Sequence, residues 1–263
     1  MTSPSPRTSP VLLTGGTGTL GRQVLPLLRA AGRTVRVLTR SPRDSADEGV
    51  TYVVGDLARD GDPGTAAALD GVDTVVHLAG ASRGDDVTTG HLTRAAVAAG
   101  GVRHVVLISV IGAGAVPLGY LRTKRAAERV VADSGLPWTV LRAAQFHDLV
   151  FMVARGAAKL PVVPVPPAVR LQPVDVRDVA ARITELALAA PAGRVPDLAG
   201  PAVHPLPDLV RSYLRATSKR RPLLPVPLPG KVGRAYREGA NLTLEGADHG
   251  TGTWEDFLAA KVG

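Results

Sequence analysis

A tyrosine and a lysine with helical spacing are the side chains in this sequence that are best arranged for proton transfer. Tyr120 and Lys124 form a Tyr-x-x-x-Lys pattern, and residues four apart lie on one face of a helix. An ammonium group beside a phenol stabilises the phenolate, so the phenol exchanges its proton more easily. We expect Tyr120 to act as an acid or base on a carbonyl or alcohol. Lys124 is expected to tune this transfer of the proton.

Ser109 is a third candidate, because it directly follows the apolar run Val105–Ile108. A hydroxyl at that place can polarise a substrate oxygen and complete a Ser-Tyr-Lys triad. The next two residues, Val110 and Ile111, have no hydroxyl. Two roles therefore stay open for Ser109: catalysis and contact with a bound cofactor.

A glycine-rich segment lies between an apolar run and a helical pattern. The run Val11–Thr14 ends in glycines, and a helix is predicted over Gly21–Ala31. Glycine permits a tight turn and a close approach of the backbone to a pyrophosphate, while the helix N-terminus offers N–H groups to that anion. We expect this loop to bind a dinucleotide through five residues: Gly15, Thr17, Gly18, Thr19 and Leu20.

Positive charge after the second predicted strand, Val35–Leu38, indicates which nicotinamide cofactor is bound. Arg40, Ser41 and Arg43 lie there, with no acidic residue among them. An acid would bind the ribose 2′-hydroxyl and repel a 2′-phosphate, whereas Arg forms charge-assisted, often bidentate, bonds with phosphate. The segment favours NADP(H) over NAD(H). The alternative is that the arginines are surface residues only. With a nicotinamide cofactor bound, Lys124 is also expected to hold its ribose.

The end of the fourth predicted strand carries small residues. Ligands of doubly wound sheets bind beyond the carboxyl ends of the strands. Leu78, Ala79 and Gly80 lie there and are expected to let the adenosine half of the cofactor pass close to the backbone. His77, which precedes them, is expected to pack in or near the core.

The end of the sixth predicted strand supplies the nicotinamide and substrate candidates. Four residues there are expected to border the nicotinamide: Ala143, Ala144, Gln145 and Phe146. The candidates for the substrate pocket are Gln145, Phe146 and His147. His147 is either an alternative proton donor or a structural histidine at the start of a helix.

The elements that must position these residues alternate between strands and helices up to about residue 150. That order predicts parallel strand pairing through right-handed crossovers. We expect residues 10–150 to form an α/β Rossmann domain with a doubly wound parallel sheet. Residues 1–9 are polar and proline-rich and are expected to form a disordered leader.

The remainder, residues 151–263, has a different composition. Prolines crowd residues 161–173 and 222–229, which favours extended or loop segments. Near the C-terminus, Thr253 and Asp256 have the spacing of a helix cap and its partner. We expect a small C-terminal substrate-binding lobe that partly completes the Rossmann core.

Composition excludes several classes of function. The chain has 263 residues, a formal net charge of +8 and no cysteine, so disulfides and thiolate chemistry are impossible, and no metal site is predicted. The basic cluster Lys219–Arg221 has no interleaved aromatics, which argues against nucleic-acid binding. No run of about 18 apolar residues occurs, so no membrane span is predicted. We expect a cytoplasmic monomer or homodimer that acts on a small molecule.

The sequence resembles the atypical short-chain dehydrogenases/reductases of the NmrA-like, NAD(P)H-binding group. The matching features are the T-G-x-x-G-x-x-G loop Thr14–Gly21, Arg40, Asp56, Ser109, Tyr120–Lys124, Leu136–Arg142, Val174–Val179 and Thr253–Leu258. The resemblance implies a Rossmann fold with a small substrate lobe. It also implies that Asp56, with Leu57 beside it, contacts the adenine amino group. An Asp at that place can instead cap the next helix.

These observations predict an NADPH-dependent oxidoreductase that reduces a carbonyl, enone or quinone of a small apolar molecule. The substrate class is suggested by the segment Leu160–Val169, which is rich in proline and has few charges. The resemblance leaves two alternatives open. One is a non-catalytic NADP(H)-binding redox sensor or regulator, and the other is an isomerase or epimerase that retains its cofactor.

Overall fold

The computed structural model of the protein describes residues 9–80 and 84–262, which form two compact units. The first unit contains the described residues of 1–108, 123–141 and 180–195. The second unit contains the described residues of 109–122, 142–179 and 196–263.

The described residues form thirteen strands and nine helices. The strands are β1 (Val11–Thr14), β2 (Val35–Thr39), β3 (Val50–Val54), β4 (Thr74–His77), β5 (His104–Val110), β6 (Trp138–Ala143), β7 (Val163–Val165), β8 (Arg170–Leu171), β9 (Gly193–Arg194), β10 (Leu198–Ala199), β11 (His204–Pro205), β12 (Leu223–Pro225) and β13 (Asp248–His249). The helices are α1 (Gly21–Ala30), α2 (Pro63–Leu69), α3 (Asp85–Ala99), α4 (Gly119–Ala132), α5 (His147–Ala157), α6 (Val176–Leu188), α7 (Leu206–Ala216), α8 (Gly230–Arg237) and α9 (Trp254–Val262). None of the helices described is long and apolar enough to cross a membrane.

Nine strands form the main sheet, in the order β13-β10-β6-β5-β4-β1-β2-β3, with β9 beside β6. The pairs β3–β2, β2–β1, β1–β4 and β4–β5 are all parallel. The order 3-2-1-4-5-6 is that of the Rossmann fold, whose ligands bind where the order reverses, between β1 and β4. The predicted doubly wound α/β fold is therefore confirmed.

Among the element ends that differ from the sequence-based expectation, those of the fourth and fifth strands lie next to candidate site residues. The fourth strand, which the sequence predicts over Val72–Leu78, spans Thr74–His77. Val72 belongs to the turn after α2 and donates its N–H to the Leu69 carbonyl. The fifth strand was expected to stop at Ile108 but extends to Val110. As a result, Ser109 lies within β5 and not after it.

The core of the first unit is aliphatic, as the low aromatic content predicts. It is built from valine, leucine and alanine side chains of the strands and of the helices packed on them. The fully buried members include Leu12, Leu69, Val75, Leu92 and Leu107. Strands buried on both faces in this way are typical of parallel sheets.

The second unit concentrates the few aromatic residues of the chain. Trp254 is 1% exposed and stacks on Phe257, while Phe151 contacts both Phe257 and Tyr213 edge-on. These residues lie on α5, α7 and α9. The predicted cap of α9 is confirmed, because the Asp256 N–H donates to Thr253 Oγ1 and the Thr253 hydroxyl donates to the Asp256 carboxylate.

Candidate functional site

The glycine loop joins β1 to α1 at the point where the strand order reverses. Gly15 has a φ of +69°, and a Cβ there would lie 2.6 Å from the Ala79 nitrogen at the end of β4. At Gly21, a Cβ would lie 2.2 Å from the Gly15 carbonyl oxygen. The loop turns back on itself through a hydrogen bond from the Gly18 N–H to that same oxygen, at 3.0 Å. Both positions therefore require glycine.

The start of α1 leaves the loop open to an anion. Gly18 and Thr19 are exposed, Thr17 is half-buried, and Leu20 packs its side chain inward. The first turn of α1, which is described in full, contains no acidic residue and has no side-chain cap. The positive end of the helix dipole is thus not neutralised locally. The cradle fits the pyrophosphate of a dinucleotide, since the first backbone N–H groups of a helix have no partner within the helix and can bind an anion.

The residues predicted to bind the 2′-phosphate of NADP(H) lie beyond the end of β2. Arg40, Ser41 and Arg43 are all exposed. The Thr39 hydroxyl donates to the Ser41 carbonyl at 3.1 Å, which holds the first part of this segment in a turn. Two guanidinium groups in this position are available to an anionic ligand.

The residue that caps α2 is Asp62 and not Asp56. Asp62 Oδ2 accepts hydrogen bonds from the Thr65 N–H at 2.7 Å and from the Asp56 N–H at 3.1 Å. The Asp56 carboxylate accepts from the Ala58 N–H within its own turn, and Leu57 packs against the core. The signal for this cap was present in the sequence, because Asp62 precedes a proline at the first helical position.

His77 is fully buried, which confirms the expectation that it packs in the core. Its Nδ1 lies 2.7 Å from Thr14 Oγ1, and its Nε2 lies 3.1 Å from Thr89 Oγ1. Burial is the largest influence on the ring and lowers the pKa of His77 to about 4, against the opposing effect of the Asp85 carboxylate. The imidazole is therefore neutral at pH 7.

Lys124 has a buried partner that the sequence analysis did not identify. Its Nζ lies 2.8 Å from Asp85 Oδ2, and the two side chains are 7% and 1% exposed. The ammonium also lies against the end of β4, since a Cβ on Gly80 would be 2.8 Å from Nζ. Leu78 and Ala79, which are also expected to lie beside the adenosine half of the cofactor, are half-buried there.

Tyr120 lies one helical turn before Lys124 on α4, as the spacing predicts. The tyrosine is 42% exposed, whereas the lysine is buried. Ser109, on β5, is 2% exposed. The catalytic roles suggested for these three residues remain predictions.

In the second unit, the segment after β6 is held by the residues that precede α6. Phe146 forms a bridge with Val174, and the Val174 N–H donates to the Gln145 carbonyl at 3.0 Å. Ala143 and Ala144 are buried. The side-chain oxygen of Gln145 is buried and has no hydrogen-bond partner among the described residues.

His147 begins α5 and is 1% exposed. Its Nε2 donates to the Pro173 carbonyl at 3.1 Å, and its ring centroid lies 5.8 Å and 5.3 Å from those of Trp254 and Phe257. Burial lowers the pKa of His147. The sequence left two roles open for His147, a proton donor and a structural histidine. The Pro173 carbonyl is the hydrogen-bond partner that the structural role requires.

Comparisons with known proteins point to the same class of cofactor. A family model described as NAD(P)H-binding matches residues 15–188. The chain is 35% identical over 161 residues to the (4-alkanoyl-5-oxo-2,5-dihydrofuran-3-yl)methyl phosphate reductase of Streptomyces griseus, a match that covers 58% of this chain and 54% of the relative. It is 33% identical over 149 residues to the photosystem II assembly factor Ycf39 of Synechocystis, covering 52% and 44%. The matches thus span about half the length of these relatives.

Among solved structures, the NADPH-dependent quinone oxidoreductase of Escherichia coli, complexed with NADPH, has a similar fold. The TM-score is 0.81 at 20% identity, and the match covers 95% of this chain and 99% of the other. The family model covers well over half of the chain and includes the glycine loop, β2, β4 and α4. The chain therefore belongs to the NAD(P)H-binding family of NmrA-like proteins, which confirms the resemblance seen in its sequence.

Proposed function

We propose that the protein is an NADPH-dependent reductase of a conjugated carbonyl, an enone or a quinone, on a small apolar molecule. The observation that carries the proposal is the glycine cradle between β1 and α1, where a Cβ at Gly15 or Gly21 would collide with neighbouring backbone, so that only glycine permits this tight turn at the start of the helix. Bound NADPH supplies a hydride. The dihydrofuran named for the Streptomyces relative carries two carbonyl groups conjugated to its double bond, which supports an enone as the substrate class.

The preference for NADPH over NADH rests on charge. Arg40 and Arg43 are exposed after β2, and each can form a charge-assisted bond with a 2′-phosphate. Ser41 adds a hydroxyl donor between them. An unsubstituted ribose hydroxyl gains much less from these guanidinium groups than a phosphate does.

The proton that must accompany the hydride comes from Tyr120. Reduction of an enone or quinone adds hydride to one atom and leaves negative charge on an oxygen, which then takes a proton. Tyr120 is the donor, and its phenolate is reprotonated from water, since its side chain is 42% exposed. Lys124 holds the nicotinamide ribose, and Ser109 orients the substrate oxygen.

The apolar character of the substrate is supported by the second unit. A cavity of about 80 Å³ there is lined by apolar residues that include Pro166, Val169, Leu228 and Tyr236. It is smaller than the roughly 150 Å³ cavity that holds benzene, so it suits an alkyl substituent better than a ring. We assign substrate binding to this unit, which contains the described residues of 151–179 and 196–263.

A non-catalytic regulator is the second candidate, because one relative is named as an assembly factor and not as an enzyme. Such a protein binds NADP(H) and a protein partner without turnover. Its cofactor binding survives the loss of Tyr120. The two candidates therefore differ in turnover and not in affinity for the cofactor.

The test is a titration with NADPH and NADH, followed by NADPH oxidation over a panel of enones, quinones and ketones. We expect tighter binding of NADPH, and turnover that falls by about a hundredfold or more in Tyr120→Phe. Tyr52→Phe, a half-buried tyrosine on β3, is the matched control and should retain activity. Binding without turnover on any substrate favours the regulator or an isomerase, and absence of binding to either nucleotide refutes the proposal.

The cofactor preference has its own control. Replacing both Arg40 and Arg43 with alanine should weaken NADPH binding by about tenfold or more and leave NADH binding almost unchanged. Replacing the exposed Arg220 and Arg221 removes the same net charge elsewhere. If both double variants weaken NADPH equally, the arginines after β2 act only through the overall charge and the assignment is wrong.

A further inference from the structure

We infer that Asp85 is a positioning residue for Lys124, and that a directed hydrogen-bond chain through His77 ties this ion pair to the glycine loop. The inference rests on the proposed function, in which Lys124 holds the nicotinamide ribose. It concerns residues of the first unit only. Asp85 has no part in the sequence patterns that point to a reductase.

The ion pair confines an otherwise flexible side chain. A buried ammonium is stable only when it is paired and hydrogen-bonded, and Asp85 lies 2.8 Å from Lys124 Nζ with 1% of its side chain exposed. The backbone of Gly80 forms one wall, because even a Cβ there would lie within 2.8 Å of Nζ. The lysine is thus held at the end of β4, beside Ala79 and Gly80, which belong to the proposed cofactor site.

The hydrogen bonds around His77 run in one direction. The Thr89 hydroxyl donates its single proton to the Asp85 carbonyl at 2.6 Å, so its oxygen must accept from His77 Nε2–H. The ring is neutral at pH 7 because its pKa is lowered to about 4, so Nδ1 carries no proton and accepts from the Thr14 hydroxyl at 2.7 Å. The Thr14 oxygen in turn accepts from the Ala79 N–H at 3.2 Å.

This hydrogen-bond chain therefore connects the two ends of the proposed cofactor site, the phosphate loop and the start of α3. Thr14 directly precedes Gly15, the first glycine of the phosphate loop, and Asp85 is the first residue of α3. The side chains of Thr14, His77 and Thr89 are at most 1% exposed, so water does not replace any member readily. The start of α3, and with it the carboxylate that holds Lys124, is fixed relative to the phosphate loop.

The first experiment compares two ligands that differ in the nicotinamide half. NADPH contains the ribose that Lys124 is proposed to hold, and adenosine 2′,5′-bisphosphate lacks it. We expect Asp85→Asn to weaken NADPH about tenfold, the scale of one charge-assisted hydrogen bond, and to change the affinity for adenosine 2′,5′-bisphosphate by less than about twofold. Asp85→Glu, which keeps the carboxylate, should restore part of the loss.

Asp86→Asn is the matched control. It removes the same charge from the same helical turn and so reports any general effect on the attraction of an anionic cofactor. It should leave both affinities within about twofold of the unaltered protein. Equal losses for the two ligands in Asp85→Asn, or equal effects of the Asp85 and Asp86 variants, overturn the inference.

Two further measurements cover the case in which Asp85→Asn does not fold. Thr89→Val breaks the hydrogen-bond chain with little change in volume and should lower NADPH affinity selectively. Thr89→Ser keeps the hydroxyl and should not lower it.

In the unaltered protein, ¹⁵N spectra of labelled histidine should show His77 as the neutral Nε2–H tautomer at pH 7. A charged ring or an Nδ1–H tautomer contradicts the direction of the hydrogen bonds through His77 and overturns the inference. If the unaltered protein binds NADPH but Asp85→Asn weakens NADPH no more than adenosine 2′,5′-bisphosphate, the inference fails alone; if the unaltered protein does not bind NADPH, the proposed function fails with it.

Discussion

Acidification should destabilise the first unit through His77, and the size of the effect follows from its burial. The pKa of the ring falls from 6.5 to about 4 in the folded protein, so between these values the unfolded chain binds a proton that the native protein does not. The contribution of His77 to stability is therefore complete above pH 6.5 and is lost as the pH falls through 4. Over that whole window the loss amounts to roughly 3 kcal/mol.

Urea unfolding at several pH values, followed by circular dichroism, measures this loss. Burial also lowers the pKa of His104 and His147, and both act in the same direction. A variant must therefore isolate His77. His77→Gln keeps a donor and an acceptor at the position but does not titrate. The free energy of unfolding of the unaltered protein, less that of the variant, should fall by about 2 kcal/mol between pH 7 and pH 5.

The result that refutes the argument is equally definite. If the two proteins lose stability in parallel over this range, His77 titrates in the native protein much as it does in the unfolded chain. The buried ring and its two threonine partners could not then have the geometry described for them. A difference that grows as the pH falls contradicts the sign of the linkage.

Three other changes test separate parts of the structure. Asp62→Ala should lower the free energy of unfolding by about 1–2 kcal/mol in urea, because the carboxylate caps α2. Gly21→Ala should weaken NADPH binding about tenfold or more in a fluorescence titration, since its Cβ would meet the loop backbone at 2.2 Å, whereas Gly156→Ala, where a Cβ meets nothing within 4 Å, should not. Asp178→Ala should speed amide hydrogen exchange in the segment before α9, because this carboxylate accepts two backbone N–H bonds there, and should cost about 1–3 kcal/mol.

The sequence by itself determined the first six strands of the sheet and the place of the cofactor loop. Strand β1 and helix α1 begin at their predicted residues, and β2 ends one residue later than expected. Their signals are apolar runs, helical periodicity and glycines that are close together in the chain, so each can be recognised without knowing what packs against it. The glycine loop belongs to the same class, because the strand before it and the helix after it are its immediate neighbours.

Only the tertiary structure decided which polar side chains meet. Thr14 and His77 are 63 residues apart in the chain and come together because β1 and β4 are neighbours at the point where the sheet order reverses. Asp85 likewise pairs with Lys124 because α3 and α4 bring them together. No local pattern distinguishes Asp85 from the adjacent Asp86, because a buried ion pair depends on the desolvation and the partner that folding provides.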